Sequence, residues 1–76
     1  MPKLPPMNGH EVLQALKNAG FLLDAIEGSH HIVRHPVTRQ RASVPVHGGR
    51  DLKTGTLRGI IRDAGLTVEE FLELRK

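Results

Sequence analysis

Histidine is the residue type most able to do chemistry here: His10, His30, His31, His35 and His47 make five in 76 residues. An imidazole can hold a metal, move a proton near neutral pH, or simply sit on a surface. Metal is poorly served. His31 and His35 share a strand parity but lie four residues apart, about 13 Å at ~3.3 Å per residue, too far for one tetrahedral ion. His30 and His31 point to opposite faces of an extended chain. His30 and His47 can meet across neighbouring strands, but with no Asp, Glu or Cys beside them they make a poor ligand set. The chain has no cysteine, which excludes disulfides, thiol nucleophiles and thiolate metal sites. Ser29 next to His30 is not an activated serine, because adjacent strand residues face apart and no acid is placed to orient the ring. Gly48-Gly49 lacks the following Lys–Ser/Thr of a phosphate-cradling loop and reads as a strand exit. The sequence points to no metal and no cofactor.

Proton transfer agrees better with the charge pattern. The chain carries eleven Lys and Arg against eight Asp and Glu, a net of +3. That excess is concentrated. Residues 1–29 sum to −1, residues 30–62 to +6 and residues 63–76 to −2, and four of the five histidines fall in the basic middle. A basic block attracts polyanions, nucleic acid first among them, although a solvated Arg-rich face is the plain alternative. Only Phe21 and Phe71 are aromatic among Phe, Tyr and Trp, too few for stacking single-stranded bases, so contact should run through phosphates, 2′-hydroxyls and shape. RNA brings its own nucleophile, the 2′-OH. Its cleavage asks a protein to take one proton, give one back and neutralise phosphoryl charge, which histidine and arginine do.

The elements that must hold these residues follow from spacing. Residues 1–7 are a Pro-rich, extended arm. Asn8 and Glu11 have the capping-box spacing, Val12, Leu13, Leu16 and Ala19 make an apolar stripe, and Gly20 stops a helix over about 9–19. Phe21 to Ile26 reads as a strand with one buried face, Gly28-Ser29 as a turn, His30 to His35 as a second strand and Arg41 to His47 as a third. Ala42, Val44 and Val46 share an inner face, and Pro45 puts the third strand at a sheet edge. Leu57, Ile60, Ile61 and Ala64 mark a second helix ended by Gly65. Thr67 and Glu70 cap a short last one, with Leu66 and Phe71 stapling it. The result is a single α+β domain over residues 1–76. Its order is α-β-β-β-α, with a three-stranded antiparallel meander covered on one face by two helices and a short C-terminal helix added. No apolar run approaches the ~20 residues of a membrane span. The N-terminus has no secretory signal, so the expected location is cytoplasmic.

Several stretches together resemble the HicA mRNA-interferase toxins of bacterial type II toxin–antitoxin systems. They are Pro2-Lys3-Leu4-Pro5, Ala19-Gly20-Phe21, Gly28-Ser29-His30-His31, Val44-Pro45-Val46-His47, Asp51-Leu52-Lys53, Gly55-Thr56-Leu57-Arg58 and Ala64-Gly65-Leu66-Thr67. They run in the right order over nearly the whole chain. The resemblance implies a double-stranded RNA-binding-like fold and metal-independent endoribonuclease activity on mRNA, with translation arrested. It implies that His30, in the Gly-Ser-His motif, is catalytic, and that a HicB-type antitoxin is the partner. Glu27 departs from the family pattern, in which a basic residue commonly precedes Gly-Ser-His. Arg34, Arg41, Arg50, Lys53 and Arg58 are the candidate phosphate contacts. His47 is a second candidate proton carrier, or else it hydrogen-bonds the Gly48-Gly49 turn. Two other readings stay open: a non-catalytic RNA-binding module, and an interaction protein whose basic face docks an acidic partner.

Overall fold

The computed structural model describes residues 3–75. The chain runs α1 (Gly9–Asn18), β1 (Leu22–Glu27), β2 (His30–Arg34), β3 (Arg41–Pro45), α2 (Thr54–Asp63) and α3 (Val68–Leu74). Both halves of each sequence-level capping box form. The Asn8 side chain accepts from the Glu11 N–H and Glu11 accepts from the Asn8 N–H, each at 2.9 Å. Thr67 and Glu70 do the same at 3.1 and 2.8 Å. Helix α1 stops as its glycine dictates: Gly20 takes φ +100, its N–H donates to Lys17 O at 2.9 Å, and the Phe21 N–H reaches Leu16 O at 3.0 Å. That pair of bonds is a Schellman closure, and it brings Phe21 and Leu16 into the core together.

The three strands form an antiparallel sheet in the order β1-β2-β3, so Pro45 is on an edge strand, as its missing donor requires. Register assigns the faces. His31 pairs with Val44 and Val33 with Ala42 on the side the helices cover. His30 pairs with Pro45, Ile32 with Ser43 and Arg34 with Arg41 on the other. The core joins Val12, Leu16, Phe21, Val33, Val44, Leu57, Ile61 and Phe71, all at most 2% exposed. Among the described residues no helix is long and apolar enough to cross a membrane.

One expectation is corrected and another is added to. The first strand does not bury one face. Phe21 is buried but precedes β1, while Leu22, Leu23 and Ile26 are 61, 53 and 57% exposed. The cause is placement: α1 and α2 lie against β3, and β1 extends past them with β2 as its main neighbour. The N-terminal arm, of which residues 1 and 2 lie outside the described residues, is more than a loose extension. Met7 is 2% exposed, its carbonyl accepts from the Leu52 N–H at 2.8 Å, and Asn8 bridges Asp51. The arm thereby ties down the segment that leads into α2.

Candidate functional site

His30 owes its position to a two-residue hairpin. Glu27 and His30 are the last paired residues of β1 and β2, and Gly28-Ser29 joins them. Gly28 takes φ +61 while Ser29 stays at negative φ, the pattern of a type II′ turn, which matches the twist of the flanking strands. His30 therefore opens β2 on the uncovered face and is exposed. Its Nδ1 is 3.2 Å from Ser43 Oγ, diagonally across the β2–β3 ladder. Its register partners are Glu27 on one side and Pro45 on the other.

Beyond Pro45 the chain leaves the sheet. The Val46 N–H still donates to Ser29 O at 2.7 Å, which ties the exit of β3 to the hairpin turn. The Arg50 N–H then closes a turn on His47 O at 3.1 Å, with Gly48 at φ +59. Past Asp51 and Leu52, held by the arm, Lys53 becomes the residue that caps α2. The outcome is an open depression of about 310 Å³ lined by Pro45, His47, Arg50, Asp51, Leu52, Lys53 and Thr56. His30 is not part of the lining; it is linked to it through Pro45, its partner in the β2–β3 ladder. Alone among the three helices, α2 starts with no side-chain cap and no acid in its first turn. Its start therefore has no N-cap side-chain acceptor and no first-turn acid to offset the helix dipole; Asp51, two residues before the cap, is the one acid lining the depression.

The sequence-derived candidates thus divide by location. His47, Arg50 and Lys53 come together in the depression, which includes Pro45, the cross-strand partner of His30. Arg34 and Arg41 pair with each other at the far end of the same open face, about 13 Å from His30 along β2 at ~3.3 Å per residue. Arg34 is partly engaged there, its Nε 3.7 Å from Asp24 Oδ2. Arg58 lies on the exposed side of α2 and does not line the depression.

The other histidines take different roles. His35 is a structural plug. Its Nδ1 accepts the Val37 and Thr38 N–H groups at 3.1 and 3.2 Å, which fixes the proton on Nε2, and Nε2–H donates to Ala19 O at 3.1 Å. Its ring also meets Phe21 edge-on at 5.2 Å. His31 faces the helix side, in an apolar groove with Leu13, Lys17, Leu23 and Val33, and its buried Nδ1 has no hydrogen-bond partner. Among the described residues no three His, Asp or Glu side chains are grouped to hold a metal.

Two residues at or beside this site were given no functional role in the sequence reading. Ser43 touches His30, and the signal for it was the β2–β3 register, which places residue 43 one step along the open face from His30. Thr56 completes the depression from the first turn of α2; its signal was the Gly55-Thr56-Leu57-Arg58 stretch that opens that helix.

Comparison with known proteins supplies the family. The family described as the HicA toxin of bacterial toxin–antitoxin systems matches residues 9–66, from the first residue of α1 to just past the end of α2. The chain belongs to that family. It is therefore a toxin of the HicA type, a class that acts with a cognate antitoxin. The match spans His30, Ser43 and the whole depression, and leaves out the arm and α3. No curated protein matches the chain significantly.

Proposed function

We propose that this toxin is a metal-independent endoribonuclease that cleaves mRNA, with His30 acting as acid or base at the scissile phosphate. The observation that carries the reading is that the exposed His30 is the cross-strand partner of Pro45, which lines a depression walled also by His47, Arg50 and Lys53. In the reaction the 2′-oxygen attacks phosphorus as it loses its proton. The bond from phosphorus to the 5′-oxygen breaks, and that oxygen takes up a proton. The products are a 2′,3′-cyclic phosphate and a free 5′-hydroxyl. His30 carries one of these two protons, and His47 is the candidate for the other. Arg50, Lys53 and the open start of α2 hold phosphoryl oxygens. Arg34, Arg41 and Arg58 extend the cationic surface to flanking phosphates. This chemistry arrests translation by destroying the message, and it acts where mRNA is, in the cytoplasm.

A HicB-type antitoxin silences such a site by covering it, with acidic groups facing the depression so that RNA is excluded. The decisive experiment is cleavage of a defined mRNA in the presence of chelator by wild type and His30→Ala, with circular dichroism to show both folded. Loss of product in the folded variant is the expected result. Undiminished cleavage by His30→Ala removes His30 from the mechanism. RNA binding by wild type with no product at any concentration would instead identify a non-catalytic RNA-binding module. In bacteria, expression of wild type should stop growth and His30→Ala should not.

A further inference from the structure

We infer that Ser43 is a positioning residue for His30: its hydroxyl accepts the Nδ1 proton and turns the ring so that Nε2 is the nitrogen that exchanges protons with RNA. This rests on the proposed role of His30. Three observations support it. The Nδ1–Oγ distance is 3.2 Å, a hydrogen bond between two exposed side chains that would otherwise be free to turn. Register puts Ser43 on the open face beside His30, held there by the pairing of Ile32 with Ser43 and of His30 with Pro45. Among the described residues no carboxylate oxygen forms an ion pair with a His30 ring nitrogen, although Glu27 is its neighbour in β1. Ser43 is therefore the group that decides the orientation of the ring.

A hydroxyl suits a residue that must work in both directions. As a base, His30 needs a lone pair on Nε2 and its proton on Nδ1. As an acid it carries protons on both nitrogens. Nδ1–H is present in both states, and a serine oxygen accepts from it in both without moving. The ring cycles at Nε2 alone while Nδ1 stays anchored. Without the anchor, rotation about the ring bond exchanges the two nitrogens, and a share of the molecules presents the wrong one.

The test uses the full chain with Ser43→Ala and Ser43→Thr, a defined RNA substrate and ring ¹⁵N spectra of His30. Ser43→Ala should lower kcat by about tenfold or more, within the 10²–10⁴ that general acid–base catalysis supplies. KM should change little, because Ser43 does not touch the depression. The ring signals should report the Nδ1–H form in wild type and a mixture of tautomers in Ser43→Ala. Ser43→Thr, which keeps the hydroxyl, should restore both kcat and the spectrum. Equal kcat and identical ring signals in wild type and Ser43→Ala would overturn the inference. Undiminished cleavage by His30→Ala would overturn the proposed role of His30 instead, and the ring spectra separate that failure from this one because they require no turnover.

Discussion

Replacing Lys53 with serine tests the physical design of the depression most directly. Lys53 is the N-cap of α2, at φ −66 and ψ 146, an extended geometry that a serine cap can adopt. As a lysine it accepts no N–H and sets a positive charge at the positive end of the helix dipole. A serine there adds a cap bond, typically ~1 kcal/mol. It also relieves the unfavourable charge, roughly 0.3–1 kcal/mol at an exposed site. Lys53→Ser should therefore stabilise the fold by about 1–2 kcal/mol, a rise in Tm of roughly 4–16 °C for a domain of this size. The same change removes a phosphate contact and fills the donors that would receive an anion. RNA affinity should fall, and the dependence of log Kd on log salt should lose about 0.7 of slope, as expected for one contact to a single strand. Thermal denaturation by circular dichroism measures the first effect. Titration of RNA in a His30→Ala background at several salt concentrations measures the second. A Tm that stays level or drops would refute the capping argument. Unchanged affinity with an unchanged salt slope would refute the assignment of Lys53 to the RNA.

The remaining predictions concern stability. Phe71→Ala removes a fully buried ring that joins α3 to the core and should destabilise by about 3–5 kcal/mol; a denaturant midpoint close to wild type would contradict its place there. His35→Ala leaves the Val37 and Thr38 N–H groups and the Ala19 carbonyl without their ring partner. It should lower stability by about 0.5–1.5 kcal/mol, since two of the three bonds are exposed, while cleavage per folded molecule, measured below the melting transition, stays at the wild-type rate.

Much of the fold was legible in local chemistry. Asn8 and Glu11, Gly20, Thr67 and Glu70, and the Gly28-Ser29 turn act through bonds to their own neighbours, so a linear reading finds them. What was not legible depends on where elements meet. Leu22, Leu23 and Ile26 have the composition of a buried strand. Their exposure follows from the helices lying against β3, a packing choice that no local pattern carries. Met7 belongs to the core because the arm hydrogen-bonds to Leu52, which lies 45 residues along the chain. The site divides in the same way. His30 stands out from its turn and its motif, and His47, Arg50 and Lys53 from the charge block. That these three share one depression, apart from Arg34 and Arg41, depends on the turn between β3 and α2. Ser43 required the exact cross-strand alignment.

The irregularity in β1 carries a further consequence. The register shifts between Leu23 and Ala25, leaving Asp24 outside the ladder and joined instead to Arg34. The outer rim of this sheet has leucine and isoleucine turned to water and backbone groups with no neighbouring strand. A regular, flat rim of that composition invites other chains to add themselves edge to edge. The extra residue bends the strand and increases its local twist, so the rim is not flat. A break in the pairing pattern at Asp24 thus makes this rim a poorer template for an added strand than a regular one of the same composition.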